Sequence, residues 1–140
     1  MILNPWPISN VKYLTTEQLL LIHSMVVDET GGLHGVRDHH ALLSIVHAPQ
    51  QSVFGKELYP SIFEKGALYC RDIITTHPFV DGNKRTGMLV ASVFLEHNGY
   101  ILNVPEGEIE RFALSVISKK PTVKDIAAWF KKHSKKRAKK

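Results

Sequence analysis

Ten consecutive residues, His77-Pro78-Phe79-Val80-Asp81-Gly82-Asn83-Lys84-Arg85-Thr86, hold an imidazole, a carboxylate, a glycine turn and two adjacent cations. Imidazole is the side chain best matched to proton transfer near neutral pH. A carboxylate is repelled by bare phosphate but suits Mg²⁺, a hard cation that carboxylate and phosphate oxygens hold together. Asp81-Gly82-Asn83 are turn residues, and Gly82 is free to adopt positive φ. Backbone N–H groups in such a turn can converge into an anion-binding nest. A helix starting at Lys84 adds unpaired N–H groups and the positive end of its dipole. Arg85 can grip phosphate oxygens through two parallel hydrogen bonds. Each residue also has a plainer use. His77 could be a helix-terminal histidine at the negative dipole end. Asp81 or Asn83 could cap the next helix, and Lys84 and Arg85 could be solvated. Taken together the residues argue otherwise. One helix needs one cap, and two cations at a helix N-terminus are unfavourable unless an anion joins them. The run is a phosphate site with an acid–base group beside it.

Two apolar segments must position that run. Pro60 suits the first turn of a helix, and Phe63, Ala67, Cys70 and Ile74 follow at three- and four-residue steps. Three residues further, the same stripe reaches His77, which predicts an imidazole at the helix end on its buried side. Pro78 then forces the chain out of the helix, and Phe79, apolar in a polar loop, is expected to plug into the core. Lys84 to Asn98 is predicted as an enclosed helix, apolar nearly all round and stopped by Asn98-Gly99. Upstream, Thr15-Thr16-Glu17-Gln18 forms a capping box, flanked by Leu14 and Leu19 at the spacing of a hydrophobic staple. That helix ends at Gly31-Gly32. Asp38 can cap a second helix carrying Leu42, Leu43 and Val46. Residues 49 to 59 lack helical periodicity and predict a loop or small hairpin. Downstream, Tyr100 to Val104 predict an extended connector. Ile109, Phe112, Ala113 and Val116 outline a fifth helix, and Thr122 caps a sixth. The expected fold is all-α, with about six helices and one small β element.

The chain has 140 residues, enough for one domain, and 44% of them are hydrophobic. Its single cysteine, Cys70, cannot form an internal disulfide and sits in no zinc-ligand spacing, so a buried thiol in a reducing compartment is expected. No secretory signal or membrane-spanning run is evident, and the expected location is cytoplasmic. Seven of the 18 Lys and Arg lie in the last ten residues, so the net charge of +5 falls to −2 when they are set aside. We divide the chain into a domain over 1–134 and a basic tail over 135–140. Such a tail could contact nucleic acid, or it could be a solvated terminus, as blocks of like charge commonly are. His39, His40, His47 and the remaining histidines show no ligand spacing and are expected at the surface.

The run from His77 to Arg85 resembles the Fic/Doc superfamily motif, His-x-Phe-x-Asp/Glu-Gly-Asn-Gly/Lys-Arg. It is most similar to the death-on-curing (Doc) toxins of bacterial toxin–antitoxin systems. Gly31-Gly32-Leu33-His34-Gly35-Val36-Arg37-Asp38, Phe54-Gly55 and Leu58-Tyr59-Pro60 extend the likeness over roughly residues 12 to 134. The resemblance implies a compact Fic fold, with residues 50 to 58 as a hairpin flap that positions a target peptide. It implies His77 as general base on a target hydroxyl and Asp81 as the Mg²⁺ ligand. Gly82, Asn83, Lys84 and Arg85 would hold the phosphates of ATP. Arg37 could reach the nucleotide or an antitoxin, or form an ion pair. Asp38 is expected as a helix cap.

Lys84 separates two reactions. AMP-transferring Fic enzymes usually carry Gly there, whereas Doc-type members carry Lys and transfer the γ-phosphoryl group instead. The resemblance therefore implies an ATP-dependent kinase that modifies a threonine of elongation factor Tu and stops translation. AMP transfer is the first alternative. A non-catalytic module binding nucleotide or nucleic acid is the second. Self-restrained Fic proteins carry Ser/Thr-x-x-x-Glu-Gly/Asn. Here Glu106 alone precedes Gly or Asn, and Leu102 stands four residues before it. Restraint is therefore expected from a separate Phd-like antitoxin whose segment folds against the toxin.

Overall fold

The computed structural model describes residues 10–138. Six helices form it: α1 (Thr16–Thr30), α2 (His39–His47), α3 (Ile62–Thr76), α4 (Asn83–His97), α5 (Glu106–Lys119) and α6 (Val123–Lys132). Two antiparallel pairs accompany them. β1 (Ser52–Val53) pairs with β2 (Lys56–Glu57), and β3 (Tyr100–Leu102) pairs with β4 (Ser134–Lys136). The all-α expectation of about six helices with a small hairpin holds, and the hairpin falls at residues 52–57, within the predicted stretch.

The helix boundaries follow the capping residues. At α1, Thr15 accepts from the Gln18 N–H while Gln18 reaches back to the Thr15 N–H, and Gly31 closes the helix in the left-handed region. Leu14 and Leu19 beside that box are both fully buried. Asp38 caps α2 through the Ala41 N–H at 3.0 Å. The start of α3 differs from the sequence expectation. Ser61 is its cap, with Glu64 completing a capping box, so Pro60 precedes the helix rather than opening it. A hydroxyl with a reciprocating Glu satisfies two backbone donors, which a proline at the first turn does not. α4 starts at Asn83, one residue before the predicted Lys84.

The centre of the domain is α3 packed against α4, with α2, α5 and α6 around them. Two glycines allow that approach. A Cβ on Gly66 would lie 3.3 Å from Leu95, and one on Gly87 would lie 2.8 Å from Ile74 Cγ1 and 3.1 Å from the Cys70 carbonyl. Cys70 is fully buried in this seam, its thiol proton shared toward Met88 Sδ at 3.6 Å. Burial pushes that thiol well above its ordinary pKa. The carboxyl end of α3 and the amino end of α4 are thereby held as a rigid pair joined by a loop of six residues.

A two-stranded hairpin is marginal in water by itself, and β1–β2 is tied down by a buried charge. Lys65, fully buried in α3, donates to the Pro49 carbonyl at 3.1 Å and to Glu57 Oε1 at 2.6 Å. The turn carries Phe54 (φ 51°) and Gly55 (φ 79°), the two positive φ values of a tight type I′ connection. The C-terminal region corrects one expectation. Tyr100 to Leu102 form a true strand, and its partner is Ser134–Lys136, so the basic segment is joined to the fold. Arg137 fastens it, donating to the Glu96 carbonyl at 2.9 Å and through its own N–H to Gly99 O at 2.7 Å. Backbone pairing holds the segment while Lys135 and Lys136 stay exposed, so charge density alone did not make it a free tail. No helix among the described residues is long and apolar enough to cross a membrane.

The α3–α4 seam makes a direct stability prediction. Gly87→Ala should lower the unfolding free energy by about 1–3 kcal/mol, the usual cost of forcing a methyl into a packed core. A urea-denaturation midpoint reads this. If the seam were loose, the substitution would instead stabilise by up to ~1 kcal/mol through helix propensity.

Candidate functional site

The loop between α3 and α4 is held from beneath. Phe79 is fully buried, as expected of a plug. Its ring stacks on His23 of α1, with centroids 3.8 Å apart and planes 6° from parallel. His23 also binds the Asp81 carbonyl through Nε2 at 2.8 Å. A carbonyl only accepts, so Nε2 carries the proton. Asn83 neither caps nor faces solvent. Its Oδ1 accepts from the Phe79 N–H at 3.0 Å and its Nδ2 donates to Phe79 O at 2.9 Å, which locks the loop into a closed ring.

His23 was not singled out in the sequence, where the remaining histidines were expected at the surface. His39, His40 and His47 are exposed as expected, but His23 is buried at 4% exposure. The available signal was its place on the apolar face of α1, one residue after Ile22 and three before Val26. Burial lowers its pKa below the ordinary 6.5, with the His34 charge adding to the effect. The hydrogen bond to Asp81 and the Asp81 carboxylate oppose the shift without reversing it.

His77 departs from expectation. The helical stripe predicts a buried imidazole, yet His77 is exposed. The stripe fails because His77 does not continue the helix: it closes α3 in the left-handed region, at φ 51° and ψ 62°. That conformation turns the side chain off the helical register. Histidine tolerates it better than most residues, but it remains strained. The result suits chemistry better than the expected placement, because an exposed imidazole is accessible to a hydroxyl on another molecule.

Asp81 is exposed, and its Oδ2 accepts from the Leu33 N–H at 3.1 Å. Gly32 lies against the same carboxylate, where a Cβ would come within 3.3 Å of Oδ2. The Gly31-Gly32 stop thus orients this carboxylate as well as ending α1. Oδ1 takes no hydrogen bond among the described residues, and the residue is exposed. One oriented carboxylate is what Mg²⁺ commonly uses when phosphate oxygens supply further ligands. No cluster of three or more His, Cys, Asp or Glu side chains able to hold a metal by themselves occurs among the described residues.

Gly82 caps α4 with φ 76° and no side-chain hydrogen bond, so the first N–H groups of α4 are left for an external acceptor. Lys84 and Arg85 are both exposed at this end. Arg85 Nη1 lies 3.2 Å from Glu106 Oε2, an exposed pair of the kind that contributes at most about 1 kcal/mol. The Thr86 hydroxyl, one turn in, is buried with no hydrogen-bond partner among the described residues. A cleft of about 680 Å³ opens beside Gly82, Lys84 and Arg85, with Met25, Leu89 and Leu114 among its apolar lining. His77 and Asp81 are not part of that lining. The structure thus brings Asp81, Gly82, Asn83, Lys84 and Arg85 to one helix end, with His77 at the other end of the loop and outside the cleft lining.

An exposed carboxylate, a helix end with no side-chain cap and an exposed imidazole thus share one short loop of a helical domain. The chain belongs to the Fic/DOC family, whose model matches residues 13–95 and so takes in α1 through most of α4. It is 38% identical over 88 residues to "Toxin Doc" of Mycolicibacterium smegmatis (strain ATCC 700084 / mc(2)155), an alignment covering 63% of this chain and 65% of that protein. It is 31% identical over 97 residues to "Protein kinase doc" of Escherichia phage P1, covering 69% and 76%. The chain thus spans just under two thirds of the mycobacterial relative's length.

The lowered pKa of His23 sets a pH dependence. The unfolded chain takes up the proton near pH 6.5 and the folded chain only at lower pH. Between those values the unfolded state binds more protons, so stability is complete above pH 6.5 and declines on acidification. His23→Gln, which retains an N–H donor, should flatten this slope in thermal melts between neutral and acidic pH. An unchanged slope would show that His23 is not the group responsible.

Proposed function

We propose that this chain is a Doc-type toxin that transfers the γ-phosphoryl group of ATP to a hydroxyl of a translation protein. A threonine of elongation factor Tu is the expected acceptor. The observation that carries the reading is the uncapped amino end of α4, with Lys84 and Arg85 on it and His77 exposed across the same loop. The "Protein kinase doc" name of the phage relative supports phosphoryl transfer over AMP transfer. In the motif, Lys84 stands where AMP-transferring members of the family usually carry Gly.

In this scheme His77 takes the proton of the target hydroxyl. The hydroxyl oxygen bonds to the γ-phosphorus, the bond from that phosphorus to the β,γ-bridging oxygen breaks, and ADP leaves. Asp81 Oδ1 would hold Mg²⁺, which when bound neutralises charge on the phosphates. The N–H groups of Asn83 to Arg85 and the Lys84 and Arg85 side chains bind and orient the phosphate oxygens. Positioning and charge stabilisation therefore supply most of the catalysis, as in other phosphoryl transfers. The Asn83 side chain takes no part in phosphate binding, because both its polar atoms are bound to Phe79. A separate antitoxin restrains the enzyme. The cleft between α1, α4 and α5 suits it, because Met25 and Leu114 are 57% and 56% exposed there beside Glu29 and Glu110.

Labelled ATP tests the reaction directly. The target protein should acquire label from γ-labelled and not from α-labelled ATP. Lys84→Gly should weaken γ transfer and allow label from the α position. His77→Ala should lower transfer by roughly 10²–10⁴-fold, the range for loss of a general base, and should relieve growth arrest when the chain is expressed alone. Equal toxicity of the His77→Ala protein would rule out the assigned base.

A further inference from the structure

We propose that Arg37, outside the motif, is a positioning residue for His77. The inference rests on the reading of His77 as the base, but its structural half stands without it. α3 meets a difficulty at its carboxyl end. A helix closed by a left-handed residue normally gains a hydrogen bond from the N–H of the residue after it to a carbonyl of the last turn. Here that residue is Pro78, which has no N–H. The His77 N–H turns back to Ile73 O at 3.3 Å, and the carbonyls beyond must find another donor.

Arg37 supplies that donor. Its Nη2 donates to Thr76 O at 2.6 Å and its Nε to His77 O at 2.7 Å. The guanidinium meets two successive carbonyls with donors fixed in one rigid plane, a preorganised geometry that a lysine ammonium lacks. Its charge also lies at the negative end of the α3 dipole. The main chain of the same segment reinforces the grip. The N–H groups of Arg37 and Asp38 both donate to Pro78 O, at 2.7 and 3.0 Å, and the Val80 N–H donates to Gly35 O at 3.0 Å. Val36 and Phe79 form an antiparallel bridge between these donors. Asp38 is itself fixed as the cap of α2.

Residues 35–38 thus clamp residues 76–80, and a strained conformation such as that of His77 persists where its surroundings over-determine it. The sequence suggested that Arg37 reaches nucleotide or antitoxin, or forms an ion pair. Arg37 forms no ion pair among the described residues, two of its three nitrogens are committed to carbonyls, and it does not line the cleft beside Lys84 and Arg85. Its effect on the reaction passes through the backbone of His77.

Arg37 is exposed, so Arg37→Ala removes no core packing. The test uses the full chain with Arg37→Ala and Arg37→Lys in two measurements. Backbone NMR shifts of His77 report its conformation with no need for activity. They should move out of the left-handed range in Arg37→Ala. Steady-state kinetics of transfer to the target protein should show kcat down roughly 100-fold, the scale of an ~1 Å misplacement, with KM for ATP unchanged. Guanidinium chloride at non-denaturing concentration should restore part of kcat in Arg37→Ala, and Arg37→Lys should fall between the two. His77 shifts that stay left-handed in Arg37→Ala overturn the proposal. So does an unchanged kcat, or a raised KM for ATP with kcat intact, which would mean that Arg37 touches the nucleotide. A wild-type chain that transfers no phosphoryl group defeats the kinase reading instead, and the NMR result still decides whether Arg37 sets the backbone of His77.

Discussion

The close approach of α3 and α4 is the constraint on which the site depends. Gly66 beneath Leu95 and Gly87 beneath Ile74 let the two helices approach closely. The helix ends are then fixed relative to each other, and a short loop must join them. Within that loop Phe79 is pinned into the core, and Asn83 binds both polar groups of the Phe79 backbone. Little freedom remains for Asp81 and Gly82. Preorganisation of this kind matters because a phosphate site works through donors already aimed before the ligand arrives.

The loop is also braced by elements distant in sequence. His23 of α1 stacks on Phe79 and holds the Asp81 carbonyl, while the Leu33 N–H orients the Asp81 carboxylate. A loop that looks like a self-contained motif is therefore assembled from three stretches of chain. Its polar groups divide by role. Those facing inward are consumed by structure, as with Asn83 and the His23 ring. The exposed side chains of His77, Asp81 and Lys84 and the uncapped N–H groups of α4 remain available for a ligand.

Much of this was legible in the sequence, for identifiable reasons. Capping chemistry is local, so Thr15, Asp38 and Thr122 were assigned correctly. The apolar plug at Phe79 and the enclosed character of α4 followed from composition against context. The misses share a different cause: each depends on a partner far along the chain. Periodicity put His77 on the buried face because it assumes that the helix continues, and Pro78 denies that. The burial of His23 needed knowledge that Phe79 would arrive beneath α1. Lys135 and Lys136 looked like free tail because a strand has no meaning without its partner, and the partner of Ser134 to Lys136 is Tyr100 to Leu102. Arg37 had several plausible partners, and all of them were side chains or ligands. Its actual partners are carbonyls that proline left unsatisfied.

The central claim concerns which bond of ATP is broken, and one measurement addresses it without labels or mutants. Purified chain is incubated with elongation factor Tu and Mg·ATP, and the intact mass of elongation factor Tu is recorded. The account predicts a gain equal to one phosphoryl group, absent when ATP is withheld. A gain equal to one AMP, or no gain while the chain arrests translation, would contradict it.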